Sequence, residues 1–286
     1  MTVDIAGLND LATVPSVRQR LARLGVGEYI ALAFVLLLIV ATITPQLLAP
    51  YGALDPDEAN VLVPPSLAHP FGTDYLGRDL LSRVIYGTSR TFFGSAVAVL
   101  IGLGVGTVLG LLAANFGGVV DAVISRIIDV LLSIPGLLLA MMIVVSLGFG
   151  SLNAAVAVGV SSVAMFTRVM RSEVLAVKHL PFVEASYHLG GRRIAVLLKH
   201  VLPNSYTAVL SLTALQFGNA ILWISALSFL GYGAPPPEPE WGLLVSEGRD
   251  YIVSSPWLVL LPGLVITLAV VAISKVSQIV KERFSR

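Results

Sequence analysis

The chain has 286 residues, of which 56% are hydrophobic and only 12% are charged, whereas about 25% of residues are charged in soluble domains. Its 18 basic and 17 acidic residues give a net charge of +1, so the charge balance does not point to nucleic acid as a ligand. The absence of cysteine excludes disulfide scaffolds, thiolate metal sites and cysteine nucleophiles.

The apolar residues are grouped in stretches long enough to cross a membrane as helices, because about 20 apolar residues cover a hydrocarbon core of about 30 Å. We place six spans at residues 28–48, 89–114, 124–149, 151–170, 205–230 and 255–277. The first span follows Arg18, Arg20 and Arg23, as the core of a signal sequence would. Its length and the lack of a clear cleavage site favour a retained anchor. We therefore predict an all-α polytopic membrane protein.

The basic residues predict that both termini are cytoplasmic. With that orientation, the basic residues that lie outside or at outer helix ends are only Arg78, Arg83, Arg90 and Arg249. This imbalance follows the positive-inside rule. The chain then divides into a cytoplasmic leader (1–27), a first span (28–48), an extracytoplasmic loop (49–88), a core transmembrane domain (89–277) with a cytoplasmic segment (171–204), and a cytoplasmic tail (278–286).

Both outer segments contain residues that interrupt helices. The loop at 49–88 holds five prolines, which predicts mostly irregular structure with a short helix near Arg78–Tyr86. The second outer segment, 231–254, opens with Gly-Tyr-Gly-Ala-Pro-Pro-Pro, which cannot continue a helix. The histidines lie in loops without the spacing of metal ligands, so we predict no metal site at His69, His179, His188 or His200.

Three patterns within the spans predict packing rather than chemistry. Glycine recurs every four residues at Gly102, Gly106 and Gly110, which would let two helices approach closely. Pro135 predicts a kink in the third span. Residues 126 and 129, an arginine and an aspartate, are spaced i, i+3, so we expect them to pair on one helix face.

The cytoplasmic segment reads as two short helices joined by a turn. Pro181 suits the first turn of a helix, and Gly190-Gly191 ends it. A second, amphipathic helix begins near Arg192 and leads through Leu202-Pro203 into the fifth span. The residues alone leave two interpretations open: a connector lying on the membrane surface, or a docking site for another protein.

Several motifs carry a resemblance to a known family. Glu184-Ala185-Ser186, followed by Gly190 and later by Leu202-Pro203, resembles the Glu-Ala-Ala loop of bacterial ABC importer permeases, although Ser186 stands where that loop has alanine and the C-terminal tail departs from the family pattern. The candidate coupling residues are Glu184, Ala185, Ser186, Gly190, Gly191, Arg192, Leu202 and Pro203. Two outer motifs are similar to the dipeptide, oligopeptide and nickel branch: Gly72, Thr73, Asp74, Gly77, Arg78 and Asp79 with Ser82-Arg83, and Pro236, Pro237, Trp241, Gly242, Glu247, Gly248 and Arg249.

The resemblance implies a type I ABC importer permease fold in a bacterial inner membrane. It implies that the chain forms half of a translocation path for short peptides with a second, homologous permease. Two ABC ATPase subunits, or one ATPase homodimer, would dock on the loop at 181–203, and an extracytoplasmic binding protein would deliver substrate. Gly190 would allow the sharp turn between the two helices, and Ala185 and Ser186 would keep the docking helix slim.

The sequence agrees with a subunit that is not itself an enzyme. It contains no Gly-x-x-x-x-Gly-Lys-Ser/Thr loop, so we expect ATP and Mg to bind the partner subunits and no cofactor to bind this chain. The alternatives are an ion- or proton-coupled secondary transporter and a homo-oligomeric channel. A secondary transporter should carry ionisable groups near mid-membrane, and here the span centres are almost free of charge.

Overall fold

The computed structural model describes residues 25–284, and the regular structure of this part of the chain is helical. The helices are α1 (Val26–Ile43), α2 (Leu80–Phe116), α3 (Gly118–Ser133), α4 (Gly136–Leu147), α5 (Ser151–Lys178), α6 (Pro181–His188), α7 (Arg193–Val196), α8 (Leu202–Phe229), α9 (Trp241–Gly248) and α10 (Trp257–Phe284). Single 3-10 turns lie at Pro45–Leu47, Glu58–Asn60 and Arg249–Tyr251. The all-α prediction is confirmed, whereas the predicted leader through residue 24, with its three arginines, lies outside the described residues.

Within residues 25–284, five helices are long and apolar enough to cross a membrane, and a broken pair would make a sixth span. The five are α1, α2, α5, the first 23 residues of α10, and a helix of 37 residues that joins α7 to α8 through a π-helical turn at Leu197–Val201. The pair is α3 and α4, which meet at 96°. Pro135 therefore produces a complete break rather than a kink, because a proline disfavours helical geometry in the residue before it and Ile134 is extended at ψ 129°.

The repeated glycines of α2 bring that helix against α5, as predicted. A Cβ atom added at Gly106 would lie 2.5 Å from the Cβ of Phe166, and one added at Gly110 would lie 2.7 Å from the Cβ of Met170. At Gly102 an added Cβ would meet the hydroxyl of Ser162 at 2.1 Å. At Gly106 and Gly110, where the close atoms are a Cβ and the backbone of α5, no side chain fits unless the two helices move apart.

The helices place the interhelical segments at two opposite ends of the bundle. The N–H of Gly150, just before α5, donates to Tyr232 O (3.3 Å) in the segment after α8. At the other end of α5, Lys178 Nζ donates to Ala114 O (3.3 Å) near the end of α2. We call the end that carries residues 45–79 and 230–256 the cap end, and the end that carries residues 179–203 the loop end.

Two predictions of local structure were wrong, one because a long helix continues through the segment and one because a tertiary contact replaces the predicted pair. No separate short helix covers Arg78–Tyr86, because Asp79 caps α2 at its start and the helix then runs to Phe116 without interruption. Arg126 does not pair with Asp129; instead Arg168 of α5 donates to Asp129 Oδ1 at 2.8 Å.

Candidate functional site

The loop end carries a short helix that is closed by two glycines with different tasks. Helix α6 begins at Pro181, and Gly190 follows it with φ +87°, a conformation that favours glycine. The Gly190 N–H donates to Tyr187 O (3.0 Å), and the Gly191 N–H donates to Ser186 O (3.1 Å). A Cβ at Gly191 would lie 2.7 Å from Ser186 O. Gly190 is therefore required by backbone conformation and Gly191 by lack of space.

The inner side of this segment is held by the main hydrophobic core of the protein. Val183 of α6, Val196 of α7 and Val201 of the π-helical turn are buried and belong to that core. They share it with residues of α2, α5 and α8. The short helix is thus attached to the spans rather than suspended on a loose loop.

The outer side of the same segment is open. Glu184 and Ala185 are exposed on α6, and the Glu184 carboxylate lies 3.8 Å from Nδ1 of His179. Leu189 is 89% exposed and Ile194 is 66% exposed. Arg192, at the start of α7, is also exposed. This combination of apolar and charged side chains on a fixed support is typical of a protein-docking surface.

Leu202 and Pro203 mark the entry to the long helix. Leu202 is half-buried and packs against the main core, while Pro203 is exposed at the second position of α8. Proline lacks an N–H and its ring clashes with the carbonyl four residues before it. The π-helical turn at Leu197–Val201 lies just before this proline, and the helix continues through it.

The cap end contains a buried ionic network that joins the two outer motifs. Asp74 Oδ2 accepts from Arg78 Nε (2.7 Å) and from Arg83 Nη1 (2.6 Å). The same Arg83 nitrogen lies 3.0 Å from Glu247 Oε2, so the network links the start of α2 to α9. The Tyr75 hydroxyl donates to Glu247 Oε1 at 3.2 Å. The two arginines and two carboxylates are each 10% exposed or less, so each charge depends on its partners.

The rest of the first outer motif shapes the backbone around this network. Thr73 Oγ1 accepts from the Val63 N–H (2.8 Å), and Asp79 Oδ2 accepts from the Ser82 N–H (2.7 Å) to cap α2. Gly72 and Gly77 both have φ +75°. A Cβ at Gly77 would lie 1.8 Å from the carbonyl oxygen of residue 57, so the loop closes tightly on itself.

The second outer motif packs α9 between the spans. Trp241 is fully buried, and its Nε1 donates to Val84 O of α2 at 3.0 Å. A Cβ at Gly242 would lie 2.1 Å from Ser225 O of α8, and one at Gly248 would lie 2.8 Å from the Cβ of Leu258 in α10. Small residues thus let α9 enter the gap between α2, α8 and α10.

The two prolines and the arginine of this motif have different positions. The Pro236–Pro237 peptide bond is cis, and Pro237 O accepts from Arg83 Nη2 at 3.3 Å. Arg249 is exposed and lies 3.4 Å from Asp250. Pro237 therefore contacts the ionic network, whereas Arg249 forms its ion pair outside it.

Sequence reasoning missed Glu240 and Tyr75. Glu240 is fully buried at the start of α9, where it accepts from the Leu243 N–H (3.2 Å) and the Thr91 hydroxyl (3.1 Å). Burial raises the pKa of the Glu240 carboxyl, and hydrogen bonds, including one from Ser228, act in the opposite direction. For Glu240, the signal in the sequence was an acidic residue directly before the Trp-Gly start of a short helix. For Tyr75, the signal was an aromatic residue inside a charged motif.

No group of three or more histidine or acidic side chains within residues 25–284 is arranged to hold a metal ion. The loop end carries exposed apolar and charged side chains on a helix that the core holds in place, and the cap end contains a buried ionic network.

Comparisons with known proteins identify related sequences. The family model of a binding-protein-dependent transport system inner membrane component matches residues 106–286. A glutathione transport system permease protein of Pectobacterium atrosepticum is 38% identical over 276 residues, covering 92% of this chain and 91% of that protein. A dipeptide transport system permease protein of Alkalihalophilus pseudofirmus is 39% identical over 251 residues, covering 88% of this chain and 81% of that protein.

Two solved structures share the fold. An inward-facing methionine ABC transporter aligns with a TM-score of 0.56 at 17% identity, covering 72% of this chain and 96% of the other. An amino acid ABC transporter solved with histidines aligns with a TM-score of 0.58 at 17% identity, covering 71% of this chain and 94% of the other. At this identity the similarity concerns the fold alone.

Proposed function

Because this chain belongs to the family of binding-protein-dependent transport system inner membrane components, we propose that it is one of two permease subunits of an ATP-driven importer for peptide-type substrates. It is a multi-pass membrane protein with an all-helical fold. The relatives that align over most of their length are named for glutathione and dipeptide transport, which supports a small substrate that contains amide bonds.

One observation carries the proposed coupling to ATP hydrolysis. Helix α6 is anchored in the core through Val183 while its outer side, with Glu184 and Ala185, is exposed. We expect two ATPase subunits, or one ATPase homodimer, to bind this surface together with the equivalent surface of the second permease. Because α6 is fixed to the spans, closure of the ATPases would reach them as a rigid-body movement.

The orientation follows from the same proposal. The loop end lies in the cytoplasm with both termini, and the cap end faces the extracytoplasmic side, where a substrate-binding protein delivers its ligand. The excess of basic residues on the loop side supports this orientation. The buried network of Asp74, Arg83 and Glu247 would keep the cap end rigid where the binding protein contacts it.

The test is purification of the full chain from its native membrane in mild detergent, followed by identification of the bound proteins and reconstitution into liposomes. We expect a second permease and an ATPase to remain bound, and uptake of a labelled dipeptide or glutathione to require ATP. Glu184→Lys should release the ATPase, while Glu58→Lys, an exposed acidic position at the cap end, should retain it. Uptake driven by an ion gradient without ATP would indicate a secondary transporter, and a homo-oligomer without ATPase would indicate a channel.

A further inference from the structure

The break between α3 and α4 leaves irregular backbone between two apolar helices, near the middle of the sixth span if the pair crosses the membrane together. Helix α3 ends at Ser133, and α4 starts at Gly136. Ser133 and Pro135 are exposed in the isolated chain. Irregular backbone at membrane depth is tolerated only where it is covered by protein or lines a water-filled cavity, and broken helices are where many transporters bind their cargo.

A tryptophan connects this break to a polar pair on α8. A Cβ added at Gly136 would lie 2.2 Å from Cη2 of Trp223, so the start of α4 rests directly on the indole ring. Trp223 also lines a cavity of about 10 Å³ together with Gln216 and Asn219. Asn219 Nδ2 donates to Gln216 Oε1 at 2.9 Å. Trp223 thus contacts the break and also lines the cavity that the two carboxamides share.

The cavity lies close to the middle of the bundle. Its lining comes from the central parts of three helices: Ala98 and Val99 of α2, Val158 and Ser162 of α5, and residues 216–223 of α8. Gln216 is only 7% exposed, and Asn219 is half-buried. Polar side chains at this depth are costly in a membrane and usually serve packing or transport.

We propose that Gln216 and Asn219, beside the irregular backbone at 133–135, contact the transported molecule through hydrogen bonds to its peptide groups. The inference rests on the proposed import of peptide-type substrates. A carboxamide offers one acceptor and two N–H donors, which matches the acceptor and donor of a peptide bond. The lining of the cavity carries no ionisable side chain, so the site reads amide groups rather than charged termini.

The size of the cavity indicates when this contact forms. A volume of about 10 Å³ accommodates about one water molecule and no peptide. The carboxamides therefore pair with each other in this conformation and reach substrate when the helices separate during the transport cycle. Exchange of one hydrogen bond for another keeps the polar groups satisfied in both states.

The experiment compares two labelled substrates in liposomes that contain the full complex with its binding protein. One is dialanine, and the other is its ester analogue, in which oxygen replaces the amide N–H. The variants are Gln216→Met and Asn219→Leu, which keep side-chain volume but remove the amide. Thr213→Val is the matched control, because Thr213 Oγ1 donates to Val209 O of its own helix at 2.8 Å.

We expect the wild type to transport dialanine better than the ester, and both carboxamide variants to reduce this preference about three- to tenfold, the value of one lost hydrogen bond. Thr213→Val should keep the wild-type preference. An unchanged preference in both carboxamide variants would overturn the proposal, and so would an equal loss of both substrates, which is the behaviour of a packing defect. The ATP dependence of wild-type uptake tests the importer function separately, because the preference is measured whatever drives uptake.

Discussion

Replacement of Gly190 by valine perturbs the turn at the loop end without filling any occupied space. Gly190 has φ +87°, and an added Cβ would meet no described atom within 4 Å. The cost is therefore conformational, about 1–2 kcal/mol for a residue with a Cβ in the left-handed region and more for a β-branched one. Since a folded domain is stable by about 5–15 kcal/mol, the variant should still accumulate in the membrane.

The chain offers a matched control at its opposite end. Gly231 also has φ +87° and also has no described atom within 4 Å of an added Cβ. Gly231→Val therefore imposes the same backbone strain at the cap end. Because the backbone strain is the same in both variants, any difference in their uptake comes from where the turn lies in the protein.

The assay measures ATP-dependent uptake and retention of the ATPase for both variants at equal abundance. The turn at Gly190 sets the angle between α6 and α7. If the chain relieves the backbone strain at residue 190 by changing this turn, α6 moves and the proposed docking surface moves with it. We expect Gly190→Val to lower uptake at least about tenfold, which corresponds to about 1.4 kcal/mol of lost coupling. Gly231→Val should remain near the wild type. Normal uptake by Gly190→Val, or equal losses in the two variants, would refute the assignment of α6 as the coupling element.

Three further predictions concern the cap end and the packing of the spans. Asp74→Asn removes the negative charge that two buried arginines share and should destabilise the purified protein by about 3–5 kcal/mol. Tyr75→Phe removes one hydrogen bond and should cost about 1 kcal/mol. Thermal unfolding in detergent measures both losses, and equal shifts would contradict the network. Gly106→Leu should prevent accumulation of the protein because it separates α2 from α5. Gly104→Leu should be tolerated, because an added Cβ there meets no described atom within 4 Å. The abundance of each variant in the membrane is the measurement, and equal levels would contradict close packing at Gly106. The raised pKa of Glu240 means that its contribution to stability is complete below its ordinary pKa of 4.5 and declines as the pH rises through the higher folded-state value. Glu240→Gln should therefore gain stability relative to the wild type as the pH increases, and a stability difference that does not change with pH would exclude this carboxyl as the cause.

Much of the loop end could be predicted from local signals. Pro181 and the Gly190-Gly191 pair mark the ends of α6, because helix starts and positive-φ turns depend on the few residues that form them. That α2 approaches another helix closely also followed from the sequence, since glycines four residues apart leave one helix face without side chains.

The sites that join distant segments were harder to predict. Arg83 and Glu247 lie far apart in the chain, and their ion pair exists only because α9 packs beside the start of α2. The fully buried carboxylate of Glu240 depends on the same docking. A sequence motif shows which residues lie close together in one segment, but the packing of the segments determines which residues of another segment they contact.

The sequence by itself therefore determined the membrane class, the approximate positions of the apolar helices and the turn at Gly190, because hydropathy and backbone preference act over one helix or one turn. The tertiary structure alone decided that Asp129 pairs with Arg168 rather than with Arg126, and that α7 and α8 run as one helix. It also set the angle of 96° at the break that Pro135 causes. These outcomes depend on the free energy of packing between helices, which exceeds the local preferences that sequence patterns report.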